Sequence, residues 1–456
     1  MHETEKMTSA FTLALTRIVC CALAFSVASS AWAKLVVMHG YADVTSALVW
    51  IQADTPGPIR VSWRAAGAAN EQSTTLDARA ADEMIVVARL TGLAPGSRAS
   101  YRIEGDNDRR EGFVQTQPAW SGVKNAPDIT IAIGSCFFLA DSEPVFAGRS
   151  DYGSGFEIFD AIAAKKPDLM VWLGDNLYFQ RPDFLDPASM AMRHRRQRAF
   201  EPLSRLLTAT SHIAIWDDHD YGWNNADGAY PLKGDALRLF KAYWANPSFG
   251  LPETPGVFGF AVYGDVDLLL TDGRYYRSNA RLPDSPTKTM FGAAQLEWIK
   301  SMLLQSRAPV KLFVSGSQIW NAASRFDGLY EFPTEQKALA DFLLTQRIDG
   351  LLFVTGDRHF GELLRIQRPG AYPFYEFTSS PLTSRPWEEP EANERNNPQV
   401  VPGTLVGKRQ FGLIRVAGPG NDRRIALETY DQKGELLWRQ ELRASALRFP
   451  RRPASE

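Results

Sequence analysis

Cysteine is nearly missing from this chain: there are three in 456 residues, and two of them, Cys20 and Cys21, lie within the first 33. No apolar run approaches the roughly 20 residues that a membrane-spanning helix requires. Neither sign of charge is in excess, because 50 Lys and Arg stand against 52 Asp and Glu for a formal net charge of −2. These absences argue against a disulfide-stapled scaffold, a membrane span and a polyanion-binding surface as the main role. Internal repeats and low-complexity tails are missing too. What remains is a soluble-type globular composition in a chain long enough for two domains.

The first 33 residues read as a secretory signal peptide, with Met7 as an alternative start. Lys6 and Arg17 precede the apolar stretch 18–28, and Ala31-Trp32-Ala33 gives a cleavage pattern before Lys34. Export to the periplasm or outside the cell is the expectation, with no membrane span in the mature chain. Removal of Glu3, Glu5, Lys6 and Arg17 leaves the net charge unchanged. It also leaves Cys136 as the single thiol, so no internal disulfide can form. A lone thiol in an oxidising compartment is protected if it is buried or held by a metal as thiolate.

Residues 34–118 carry short runs rich in Val, Ile, Trp and Tyr, separated by turn residues such as 54–57 and 93–96. This texture predicts an antiparallel β-sandwich, with His39 a structural residue in its first strand. A linker is expected over 119–127. From 128 to 446, continuous apolar runs alternate with helical patterns at 155–166, 188–207, 235–246, 293–306 and 335–347, which is the signature of an α/β domain. Residues 384–404, rich in Pro, Asn and Glu, read as a long loop with the character of a lid. A late antiparallel β segment follows, and 447–456 reads as a tail.

Five apolar runs end at residues able to hold a metal: Cys136, then Asp175 and Tyr178, then Asp218 and His219, then Asp272, then Asp357 and His359. Open α/β sheets bind ligands beyond the carboxyl ends of their strands, so these residues are expected to share one site. Asp175 could bridge two metals or cap a helix, and Tyr178 could turn a phenolate toward the same place. The run 216–220 brings two carboxylates and an imidazole to a buried strand end, costly without a balancing cation. Asp218 suits a metal there, and His219 suits either a metal or general-acid duty. Asp357 and His359 form a D-x-H pair on one side of an extended segment. Asp272 and Arg274 read as site support and phosphate contact, or as an ordinary ion pair. The basic run Arg193 to Arg198 is a solvated face, or else steers an anionic substrate. Cys136 as a catalytic nucleophile is a rival reading, weakened because neighbouring carboxylates disfavour its thiolate. A non-catalytic exported metal-binding protein is the other.

The ordered set GSC (134–136), GDxxY (174–178), WDDHD (216–220) and GDRH (356–359), after a β-sandwich, resembles the PhoD-like alkaline phosphatases, distant relatives of the purple acid phosphatases. The resemblance runs over nearly the whole mature chain and includes 267–277 and 292–299. It implies a four-layer α/β/β/α metallophosphoesterase-type sandwich and a site holding Fe3+ with Ca2+. It further implies that Cys136 and Tyr178 ligate iron, Asp175 bridges, Asp357 and His359 complete the cluster, and Asp218 binds the second metal. His219 would take the place of the catalytic histidine, with Asp175 and Arg274 also in the catalytic set. Ser317 and Gln318 stand where wider metallophosphoesterases place a histidine, against a dizinc assignment. The implied reaction is hydrolysis of a small-molecule or polymer phosphate ester, by hydroxide generated at the cations attacking phosphorus in line. No specific nucleic-acid binding is expected.

Overall fold

The computed structural model describes residues 35–120, 126–140 and 152–450. The expected signal peptide, residues 121–125 of the expected linker and residues 451–456 of the expected tail lie outside the described residues.

The first seven strands are β1 (Val36–Ala42), β2 (Ala47–Gln52), β3 (Gly57–Arg64), β4 (Gln72–Ala78), β5 (Ile85–Leu90), β6 (Arg98–Gly105) and β7 (Asp108–Gln115). They form two antiparallel sheets in the orders β1-β2-β5 and β4-β3-β6-β7. Alternation along β2 explains both of its contacts. Val49 and Ile51 point into the core of this sandwich with Val61 and Ile103. Leu48 and Trp50 point the other way, into the helices of the following α/β layers. The Trp50 indole N–H donates to the Ala242 carbonyl at 2.7 Å.

Twelve further strands build two six-stranded sheets. The first contains β8 (Ile129–Gly134), β9 (Leu169–Leu173), β10 (Ser211–Ile215), β17 (Gln410–Ala417), β18 (Arg424–Asp431) and β19 (Leu436–Arg443), in the order β10-β9-β8-β17-β18-β19. The second contains β11 (Gly259–Tyr263), β12 (Val266–Leu270), β13 (Val310–Ser315), β14 (Leu351–Thr355), β15 (Glu362–Ile366) and β16 (Phe374–Thr378), in the order β11-β12-β13-β14-β16-β15. Residues of period two divide between two cores. Ile131, Ile133, Val171 and Leu173 meet the second sheet, whereas Ala132, Met170 and Trp172 meet helices on the outer face. With helices outside both sheets, this is the four-layer α/β/β/α arrangement, preceded by the all-β sandwich. Antiparallel β17 to β19 extend one edge, as the late β segment anticipates.

Three sequence expectations change in detail. The helical pattern 188–207 is two helices, Pro187–Arg198 and Glu201–Ala209. Pro202 has no N–H for the Arg198 carbonyl, so the first helix cannot run through. The basic run on that first helix is not a solvated face. His194 and Arg198 are buried, and Arg198 lies 4.4 Å from the Trp244 ring centroid and donates to the Tyr243 carbonyl at 2.8 Å. Residues 384–404 do not stand off as a lid. Glu394 in their short helix is fully buried and paired with Arg358 at 2.7 Å, and Val400 bridges Leu364.

Candidate metal centre

The parallel strands are in step at their carboxyl ends: Gly134 pairs with Trp172, Ile215 with Leu173, Leu270 with Val314 and Ser315 with Thr355. Two residues beyond each strand stand Cys136 (after β8), Asp175 (β9), Asp217 (β10), Asp272 (β12), Ser317 (β13) and Asp357 (β14). A constant offset from strands in step brings these side chains to one edge of the two sheets. Cys136, Asp175, Asp357 and His359 have φ of 59°, 50°, 67° and 54°. Left-handed backbone at a non-glycine residue costs on the order of 1–3 kcal/mol and gathers at functional sites. Gly174 and Gly316 permit the crowding. A Cβ on either would fall 2.7 or 2.6 Å from side-chain atoms of Asp217.

Here the predicted residues meet. The Cys136 thiol lies 3.5 Å from Asp175 Oδ2 and 3.6 Å from the Asp357 carbonyl, and accepts from Ser380 Oγ at 3.1 Å. Tyr178 Oη is 3.4 Å from Asp175 Oδ2 and 3.2 Å from His359 Nε2. The backbone N–H of His219 donates to Asp175 Oδ1 at 3.2 Å, and its ring stacks on Tyr178 with centroids 4.2 Å apart. Asp218 accepts from the Asn225 backbone N–H at 2.6 Å. One ligand atom from each of Asp175, Asp218 and His219 lies within 4.8 Å of the others, and the same holds for Asp217, Asp218 and Asp357. The Asp357–His359 stretch is not extended as the D-x-H reading supposed, since both residues are left-handed. Arg358 between them is buried against Glu394 and Ser324.

The electrostatics are those of a site built for cations. Burial, then repulsion from Asp218, Asp217 and Asp357, holds the Asp175 carboxyl far above its ordinary pKa. Burial followed by Asp217 and Asp218 does the same to Asp357. Burial raises Asp217 to about 6 even though Arg274 pulls it down. Burial also pushes on Asp218, but His219, Arg274 and the Asn225 N–H outweigh it and leave its pKa below normal. Burial and adjacent carboxylates raise Cys136, and burial, Cys136 and Asp175 raise Tyr178. Buried acids that repel one another are paired or coordinate metals. A soft thiolate, hard carboxylates, a phenolate and imidazoles form a donor set that fits a cluster of cations.

Two expectations are corrected. Arg274 is not a free phosphate contact: it is fully buried, its Nε donates to Asp217 Oδ1 at 2.6 Å, and its Nη2 pairs with Asp327 and donates to Ser317 at 3.1 Å. A guanidinium so committed fixes Asp217 rather than receiving an anion. Asp272 does not pair with it either. Its carboxylate accepts from the Trp216 indole and the backbone N–H groups of Val257, Arg274 and Tyr275. Sequence reasoning did not single out Asp327, Ser380 or a separate role for Asp217. Asp217 was visible as the first acid of WDDHD and as a strand-end-plus-two position, whereas Asp327 carries no motif. His39 is structural as expected, its Nε2 3.0 Å from Tyr101 Oη.

A family model described as PhoD-like phosphatase matches residues 144–416. The chain belongs to the PhoD-like phosphatase family. As a PhoD-like phosphatase it is a phosphoric ester hydrolase, and the family implies metal ions in the site. Among solved structures, one titled structure of PhoD is similar over 89% of this chain and 91% of that one, at 18% identity and a TM-score of 0.72. The purple acid phosphatase PPD1 from yellow lupin (Lupinus luteus) seeds is similar over 93% of this chain and 78% of that one, at 12% identity and a TM-score of 0.64. At these identities the likeness is one of fold. Among curated proteins no sequence matches significantly.

Proposed function

We propose that this PhoD-like phosphatase is an exported, metal-dependent enzyme. In this reading Cys136, Asp175, Tyr178, Asp218, Asp357 and His359 hold the cations and His219 serves as the acid. The domain division is 34–118 for the β-sandwich, 119–127 for the linker and 128–446 for the catalytic part, after a signal peptide over 1–33. What carries the reading is the convergence of buried, mutually repelling acids with a buried thiol and phenol beyond the strand ends. Fe3+ with Ca2+ is the assignment that the family resemblance suggests, and thiolate plus phenolate ligands suit it. When bound, the cations supply Lewis acidity for water and for the phosphoryl oxygens.

The chain's own residues do the rest. Asp175 sits between the two halves of the donor set, facing Cys136 and Tyr178 with Oδ2 and the His219 N–H with Oδ1. The His219 ring, half-buried and stacked on Tyr178, is held where it can give a proton to the departing ester oxygen. Arg274, locked by Asp217 and Asp327 and 4.0 Å from Asp218, offsets the charge of the Asp217–Asp218 pair. Burial of Cys136 and its raised pKa disfavour a thiol nucleophile.

Metal analysis with a visible spectrum tests the assignment. Tyrosinate or thiolate on ferric iron gives a coloured charge-transfer band, and a colourless, active, iron-free enzyme overturns the iron assignment. An enzyme indifferent to chelators but killed by thiol alkylation overturns metal dependence itself. A fully metallated protein without turnover on any chromogenic phosphate ester points to purely structural metals.

A further inference from the structure

The segments that support the site carry exposed aromatic surface that the chemistry above does not use. Two loops meet at Arg274, whose Nη1 is 3.5 Å from the Ala226 carbonyl and whose Nη2 pairs with Asp327. Each loop displays one large ring within three residues in sequence of its contact with that anchor. Trp223 is 40% exposed and Phe326 is 36% exposed. Both rings pack edge-to-face against a neighbour. Tyr230 meets Trp223 edge-to-face at 4.9 Å, and Trp387 meets Phe326 edge-to-face at 4.9 Å. The Arg358 guanidinium lies 5.0 Å from the Phe326 centroid, and the Trp387 backbone N–H donates to the His359 carbonyl at 2.8 Å. The braces of Phe326 therefore lie on the segment that carries Asp357 and His359, or are hydrogen-bonded to it. On the other side, Asn225, two residues beyond Trp223, holds Asp218 through its backbone N–H.

Rigid, half-exposed rings on segments that hold a polar site offer π surface at little cost in side-chain entropy, a surface that a planar ring can use and an acyclic polyol cannot stack on. Resting on the phosphoric ester hydrolase reading, we infer that Trp223 and Phe326 form the wall of the leaving-group subsite. The favoured substrates are then phosphate esters whose alcohol part carries a planar aromatic ring, either a nucleoside or an aryl alcohol. The ring packs against the wall while the phosphoryl group faces Asp175, Asp218 and His219. No new bond-making step is involved: the wall acts on binding.

The test uses the metal-loaded enzyme with adenosine, phenyl and glycerol phosphates, each as monoester and methyl diester. Wild type is compared with Trp223→Leu and Phe326→Leu, which keep apolar bulk and remove the ring. Stacking is lost, so KM for the ring-bearing esters should rise about tenfold with kcat in place. Constants for the glycerol esters should stay within about twofold. A loss confined to either the adenosine or the phenyl esters supports the wall and identifies which source it serves. Equal changes on all esters, or none on any, overturn the inference while leaving the hydrolase reading intact. A wild-type enzyme inert on every ester overturns the hydrolase reading and this inference with it.

Discussion

Asp175 and Asp272 occupy the same place in the fold, two residues past a buried parallel strand, and both are buried. Their surroundings differ completely. The Asp272 carboxylate accepts from three backbone N–H groups and the Trp216 indole, so it needs nothing more. Asp175 faces other acids, a thiol and a phenol, and among the described residues its one backbone donor is the His219 N–H at 3.2 Å. A buried carboxylate supplied with N–H donors is architecture, whereas one that meets its own kind is a request for a cation. The lesson is that position in the strand order brings an acid to the site, and donors decide what it does there.

The sharpest break in that comparison is Asp175→Asn. Catalytic activity should fall by at least ~10²–10³-fold and bound metal should fall with it. The metal-free variant should melt no lower than the metal-free wild type, because one repelling charge has gone. Metal analysis and paired melting curves check this; a variant that keeps its metal and its rate refutes the assignment of Asp175. Arg274→Lys comes next. Lysine keeps the charge but not the fork that joins Asp217, Asp327 and Ser317, and loss of such supporting contacts costs about 10–100-fold in metal affinity or activity. A titration of metal into the apo-protein would show a weaker midpoint, and an unchanged one would remove Arg274 from its positioning role.

Asp272→Asn is the mirror experiment. Its amide cannot accept what four donors offer, so stability should fall by about 2–4 kcal/mol while metal content is retained. Denaturant unfolding beside metal analysis separates the two outcomes. If Asp272→Asn strips metal at full stability, the contrast drawn with Asp175 collapses.

The site was more legible in the sequence than its support. Cys136, Asp175, Tyr178, Asp218, Asp357 and His359 each end an apolar run, a pattern fixed by strand burial and therefore visible locally. Arg274 was visible as a charged residue beyond a strand, but its burial depends on Asp327, 53 residues later in a segment without motif or periodicity. The expected lid failed for the same reason. Its Pro- and Asn-rich texture speaks of loop, while Glu394 and Arg358, which anchor it, are paired only in three dimensions. Helices and strands of both sheets were legible because continuous apolar runs and period 3.6 are local signals. The break at Ala199–Phe200 was also local, since Pro202 announces it.

His39 supplies a third way to bury an ionisable group, and the smallest predicted effect. It lies in β1, hydrogen-bonded to Tyr101, and burial lowers its pKa from 6.5 to about 4. The native ring is neutral, so it is neither matched by donors like Asp272 nor awaiting a cation like Asp175. Because the native pKa is depressed, the unfolded chain binds the proton first. Stability is then complete above pH 6.5 and is lost as pH falls from 6.5 toward 4. At pH 5 the penalty amounts to about 2 kcal/mol, from a gap of ~1.5 pH units at 1.36 kcal/mol each. His194 and His212, also buried and lowered to about 3, add slopes of the same sign, so wild type alone cannot isolate His39. His39→Gln can, since the amide can still reach Tyr101 Oη yet does not titrate. The difference in melting temperature between wild type and variant should narrow or reverse in favour of the variant between pH 7 and pH 5. A difference that stays constant across that range would mean that His39 binds its proton equally in the native sandwich and in the unfolded chain.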